Sequence, residues 1–256
     1  EAYALRTEIT IAAGQSGDMA INSERVMKAF GTLQAQLGTT SKSITGMAVD
    51  AAVMQEKIGL SDKAIGNAGK SSILLGKSMK DVKLDIISAT TSIRTQTGIA
   101  LDYKEILEET LKVSGQIRAQ LGANPKLIAS AVAQAKALGM ELGQVAEIGA
   151  SLLDFETSIQ NELEAELLTG KQLNLEKARL LALTGDYEEL SREIAEQAGS
   201  FSEFSKMNVI QQNAIAKAFG MSADAMGDML LNQEILGKTA EQLRAEGKED
   251  LDQKLE

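Results

Sequence analysis

Apolar residues recur along this chain at three- and four-residue intervals, the spacing of one helical face. Val26, Phe30, Leu33 and Leu37 form one stripe, with Ser23 placed to cap it and Gly38 placed to end it. Ile44, Met47, Ala48, Ala51, Met54 and Ile58 form a second, closed by Gly59. A third runs Ile106, Val113, Ile117, Leu121, with Asp102 ahead and Gly122 behind. A glycine just past the last apolar position suits a left-handed C-cap. Ile128, Ala131, Val132, Ala135 and Leu138 predict a helix ending at Gly139. One long helix is then expected from about Gln144 to Thr169, and another from near Asn174 to just before Gly185.

Two segments resist this pattern. Between 61 and 97 the stripe is interrupted by Gly66, Gly69 and Gly76, and 86–93 (Ile-Ile-Ser-Ala-Thr-Thr-Ser-Ile) is rich in β-branched residues, which suits a strand or an apolar helix. Thr7-Glu8-Ile9-Thr10-Ile11 alternates and predicts a short strand. Capping boxes are read at Asp186–Glu189 and Thr239–Gln242. The expected fold class is therefore all-α: a multi-helix segment with helix–Gly–helix corners and one or two short strands near the N-terminus.

Charge divides the chain. Residues 1–125 carry 14 basic and 13 acidic side chains, whereas 126–256 carry 12 and 23. The break falls at the single proline, Pro125, preceded by Asn124, which makes a cap followed by a favoured first helical residue. The expected regions are a near-neutral helical one, 1–123, and an acidic helical one, 124–256.

Composition removes whole classes of chemistry. With neither His nor Cys, the chain has no Ser-His-Asp triad, thiolate nucleophile, zinc finger or disulfide. The longest uncharged stretch, 29–41, is too short and too polar to span a bilayer. The chain starts Glu1-Ala2-Tyr3 without an initiator Met and is expected to be a piece of a longer polypeptide.

Several motifs carry less than their outline suggests. Ala135, Gly139 and Val145, and again Ala216, Gly220 and Met226, have helix-turn-helix spacing. The following helices carry Glu147 and Asp154, or Asp224 and Asp228, and no base, so phosphate repulsion argues for plain helical corners. Gly69-Lys70-Ser71 and Gly76-Lys77-Ser78 echo the end of a P-loop. The glycine required five residues earlier is Ala64 in one and Ser71 in the other, which leaves glycine turns with a capping serine. Glu162 and Glu166 share a helical face as carboxylate ligands would, with Glu164 between them. A ferritin-like site also needs Glu-x-x-His, so a solvated face is expected. No catalytic, cofactor-binding or metal-binding residue is therefore assigned, and the chain is read as a non-enzyme without a cofactor.

Two strings repeat. Ala-Lys-Ala-Leu-Gly-Met at 135–140 returns as Ala-Lys-Ala-Phe-Gly-Met at 216–221, and Leu-Thr-Gly occurs at 168–170 and 183–185. Together with Leu152-Leu153-Asp154-Phe155-Glu156, Glu162-Leu163-Glu164-Ala165-Glu166, Leu173 to Arg179, Leu183-Thr184-Gly185-Asp186 and Asn208 to Gln212, they make the stretch 135–231 resemble the interior of bacteriophage tail tape measure proteins, of a type found in tailed phages of aquatic bacteria. Residues 1–123 match that family in composition only.

The resemblance implies a structural virion protein. It would lie in the tail tube, set tail length during assembly and leave with the DNA at infection. It would be made in the host cytoplasm and assemble with itself as a trimer or hexamer. Tail tube and baseplate or tail-tip proteins would be its other partners. Specific nucleic acid would not be bound, and host membrane contact would fall to parts outside this stretch. A helix extends about 1.5 Å per residue, so 256 residues as one rod would span roughly 380 Å. The 22 glycines instead predict a folded helical segment. The expected assembly face is the stripe Ile148, Leu152, Phe155, Ile159, Leu163 and Leu167 on the long helix. Two other classes compete: a bacterial helical adaptor or coiled-coil protein, which would need sustained heptads, and a lytic domain carried by a tape measure protein, which would need a paired acid and base.

Overall fold

The computed structural model describes residues 2–15, 17, 20–38 and 42–238, with side chains from Thr7 in the first helix and Ile44 in the third. Among them the regular structure is helical throughout, with no strand. In order the helices are α1 (Ala2–Gln15), α2 (Ser23–Leu37), α3 (Lys42–Val53), α4 (Asp62–Leu75), α5 (Met79–Thr97), α6 (Tyr103–Lys112) and α7 (Gly115–Gln120). There follow α8 (Pro125–Ala137), α9 (Leu142–Leu152), α10 (Phe155–Thr169), α11 (Glu176–Thr184), α12 (Tyr187–Ala198), α13 (Phe201–Lys206) and α14 (Val209–Ala218). A last helix, α15, covers 223–238.

The short strand expected at 7–11 is overturned, and of the two forms open to 86–93 the structure has the helix. Residues 7–11 lie within α1 and 86–93 within α5. In α5 the hydroxyls of Thr90 and Thr97 donate to the carbonyls of Ile86 and Ile93, each four residues back, at 2.8 Å. These bonds satisfy the threonines inside the helix instead of leaving them to favour extended backbone. Two expected single helices are each a pair. The stripe from Ile106 to Leu121 breaks at Val113 (ψ 151°) and Ser114, whose hydroxyl then caps α7. The expected helix 144–169 breaks at Asp154, where ψ is 79°.

Contacts divide the chain into two compact units. The first comprises 1–90, 102–113 and 122–129; the second comprises 91–101, 114–121 and 130–256. This course differs from a single division at 123–124, because α5 and α8 each contribute to both units. Asn124 does start α8, accepting from the Lys126 amide at 3.0 Å.

In the first unit α2 packs on α3 and α4. Its inner side is Val26, Ala29, Phe30 and Leu33, and Asn22, not Ser23, caps it by accepting from the Arg25 amide at 3.0 Å. Gly66 and Gly69 do not break α4. They lie inside it, where their missing side chains let α2 approach. A Cβ on Gly66 would stand 2.4 Å from Cβ of Gln36, and one on Gly69 3.0 Å from a methyl of Leu33. α3 ends in a wide turn, Met54–Ile58, closed by Gly59 at φ 74°. Glu108 on α6 accepts from the backbone and hydroxyl of Ser61, the hydroxyl at 2.9 Å, and so ties α6 to the start of α4. Asn67 adds a buried bond to the carbonyl of Leu111 at 2.7 Å.

In the second unit α9 packs on α11 and α12, and α10 lies along α14. The repeated strings build the same corner twice. Met140 donates to the carbonyl of Ala135 and Met221 to that of Ala216, each at 2.9 Å, with Gly139 and Gly220 left-handed at φ 76° and 68°. This pattern is the Schellman end of a helix. The Leu-Thr-Gly repeats also share a form: Thr169 and Thr184 donate to the carbonyls of Ala165 and Leu180 ahead of left-handed Gly170 and Gly185. Asp186 caps α12 by accepting from the Glu189 amide at 3.2 Å. The box at 239–242 lies outside the described residues.

Candidate interaction face

The break at Asp154 separates the residues of the expected assembly face. Ile148 and Leu152 are core residues of α9, 2% and 1% exposed. Phe155, Ile159, Leu163 and Leu167 are on α10 and open to solvent, from 47% at Ile159 to 85% at Leu167. The six are therefore not one continuous stripe: two are interior and four form an exposed ridge. The hand of α10 is set by its other side. Ser158, Asn161 and Ala165 are buried, and the Asn161 amide donates to the carbonyl of Lys217 on α14 at 3.4 Å. The Gln211 amide donates to the carbonyl of Leu168 at 2.9 Å, and Lys217 pairs with Glu164 at 3.1 Å. Residues 161–168 of α10 thus run antiparallel to 217–211 of α14. Small and polar residues face α14, so the large apolar ones face outward.

Beside the ridge lies an open groove of about 760 Å³, lined by Ile159, Leu163, Leu173, Glu166, Glu176 and Gln197 among others. It exists because the 170–175 connection is pinned to α10 by carboxylates. Glu162 accepts from the Leu175 amide at 2.9 Å, and Glu166 from the Leu173 amide at 2.8 Å. Arg179 of α11 donates its second guanidinium nitrogen to Glu162 and its Nε to Ser158 at 3.0 Å. Both ends of that ion pair are nearly buried, 7% and 12% exposed. Glu162 and Glu166 do share a face, but Glu162 is nearly buried against Arg179 and the Leu175 amide, whereas Glu166 holds the Leu173 amide and lines the open groove. Glu164, the middle member, points to Lys217.

The role of Arg179 and the apolar floor at Leu173 were not assigned from sequence. The available signal was an arginine three residues past the start of a short helix, following the i,i+4 pair Glu162 and Glu166 in the chain.

A second, smaller groove of about 430 Å³ lies among Phe201, Phe204, Gln212, Gly227, Asp228 and Leu231. Among the described residues no group of three or more acidic side chains is arranged to hold a metal ion, and no helix is long and apolar enough to cross a membrane. The P-loop echoes have no phosphate-cradling form: Gly69-Lys70-Ser71 is inside α4, and Ser78 caps α5 through the Asp81 amide at 3.0 Å. In the helix-turn-helix outline the second helix α9 turns Leu142, Val145, Ile148 and Leu152 into the core.

Burial pushes the Tyr187 phenol above its ordinary pKa, against the opposing effect of its hydrogen bond to Gln120. Burial likewise lowers that of Arg118. Neither group lines the groove beside the ridge.

Comparison with known proteins identifies no family. No protein-family model, curated protein or solved structure matches the chain.

Proposed function

We propose that this chain is a folded helical segment of a bacteriophage tail tape measure protein, acting as a structural, non-catalytic virion component. The observation that carries this reading is the ordered set of strings across 135–231 that resembles the interior of that family. The helical build is in keeping with it, since a ruler is made of helix and here the helix is folded into corners by glycine. On this reading the parent chain associates with itself as a trimer or hexamer and with tail tube and baseplate or tail-tip proteins. It resides in the tail lumen after assembly in the host cytoplasm.

The test is made on virions of the phage or prophage that encodes the chain. Mass spectrometry of purified tails should find the chain, and in-frame deletions within the parent protein's rod-like helical segments should shorten tails by about 1.5 Å per residue removed. Tails of unchanged length, with the chain absent from virions and present in host cytosol, would refute the reading and favour a cellular adaptor.

A further inference from the structure

The ridge on α10 has a geometry that selects its neighbour. Phe155, Ile159, Leu163 and Leu167 are spaced by four, and at about 100° per residue each step overshoots a full turn by about 40°. The row therefore winds around α10 and leaves the line a coaxial bundle would follow, which needs a 3.5-residue period. Rows of this kind interdigitate with the like row of a helix crossing at about −50°. The four side chains leave roughly 400–500 Å² of apolar surface open, the size of the largest apolar patch on a typical monomer. It is about half of what each partner contributes to a standard interface. A partner must therefore also use the adjoining groove.

The charge of that surface is one-sided. Glu156 and Glu166 fall in the same angular sector as the ridge, and no base does. The groove adds Glu176, while its one lining cation, Arg179, is already held by Glu162 and Ser158. A second copy crossing on the same ridge would bring Glu156 and Glu166 towards their own kind.

We propose that the α10 ridge and its groove dock an amphipathic helix of another polypeptide, one carrying Lys or Arg beside its apolar row. Its leucine-like side chains pack across Leu163 and Ile159. The stem of a cation lies along Leu173 and its head meets Glu166 and Glu176. The inference needs only the chemistry of this face and stands whether or not the virion reading does.

The test uses the full chain and a fluorescent synthetic helix of leucine and lysine with one apolar row. Two control peptides accompany it: a scramble of the same composition without that row, and a leucine–glutamate counterpart. Anisotropy should show micromolar binding of the first peptide and at least tenfold weaker binding of both controls. Leu163→Gln with Leu167→Gln should weaken binding at least tenfold without altering charge, and Glu156→Lys with Glu176→Lys at least threefold. Leu84→Gln, at an exposed leucine in the first unit, should leave it unchanged. Circular dichroism verifies that each variant is folded. Equal binding of the scrambled peptide, or full binding by the Leu163/Leu167 variant, would reduce the effect to general charge attraction and overturn the proposal. So would light scattering that shows a dimer dispersed by the Leu163/Leu167 variant but not by the peptide, which would make the occupant a second copy.

Discussion

Two glycine-to-alanine changes inside helices of the first unit should move stability in opposite directions. Gly46 lies in α3 with nothing within 4 Å of where a Cβ would stand. Alanine there gains helix propensity and restricts the unfolded chain, stabilising by about 0.5–1 kcal/mol. Gly66 in α4 has the same intrinsic gain available, but its Cβ would stand 2.4 Å from Cβ and 2.6 Å from Cγ of Gln36. Ordinary carbon contacts are about 3.5–4.0 Å, so α2 and α4 must separate locally by about 1 Å. Cβ of Gln36 cannot rotate away, because it is fixed to the α2 backbone. That movement also opens the close approach of Leu33 and Leu37 to α4 at Gly69. Overpacking of this kind costs about 1–3 kcal/mol, which exceeds the propensity gain. The expected net loss is about 1–2 kcal/mol for Gly66→Ala against a gain for Gly46→Ala. Urea unfolding followed by circular dichroism reads both as shifts of the midpoint at constant slope. A Gly66→Ala variant as stable as Gly46→Ala would refute the view that α2 approaches α4 through the missing side chain.

Other outcomes follow from buried pairs, caps and titration. Arg179→Ala leaves the nearly buried Glu162 carboxylate without its cation, with only the Leu175 amide still donating to it, and takes the Nε donor from Ser158, and should cost about 3–5 kcal/mol in the same assay; a cost under about 1 kcal/mol would mean water replaces the guanidinium freely. Gly139→Ala combines a left-handed φ of 76° with a Cβ placed 2.9 Å from the Met229 carbonyl and the Gln233 amide, so a loss of roughly 2 kcal/mol or more is expected, and a neutral result would contradict the close corner. For Glu108, burial acts to raise the carboxyl pKa. The Lys112 hydrogen bond, the bonds from Ser61 and the Lys112 charge outweigh it and hold the group below its ordinary value. A lowered folded pKa stabilises above the unfolded value of about 4.3 and is lost as pH falls through the folded one. The stability gap between the native chain and Glu108→Gln should accordingly be widest near neutrality and close in acid below that value. A gap that widens on acidification would show the sign to be wrong.

Much of the helix punctuation was legible in the sequence because it is decided within a few residues. Gly38, Gly139, Gly170 and Gly185 end helices in the left-handed region, where a side chain would clash with its own backbone. Asn124 and Asp186 cap because a short acceptor reaches an amide two or three residues on. The repeated strings therefore predict repeated corners, and the structure has them. Elsewhere the local signal was ambiguous and packing over long sequence distance decided. The β-branched run in α5 favours neither state by periodicity, and only the helix with its threonine back-bonds resolves it. Gly66 and Gly69 resemble breakers until α2, some thirty residues away, lies against them. The stripe from Ile148 to Leu167 reads as continuous on a helical wheel, yet a rotation at Asp154 sends its first two members inward and the rest to solvent. The same holds for Glu162: its charge suggests a wet face, and only the arrival of Arg179 and the 170–175 backbone makes it interior. Hydrogen-bond reach and backbone sterics act over one helical turn, so sequence encodes them directly. Which face is covered depends on what other helix comes to lie there, and that is settled when the chain packs.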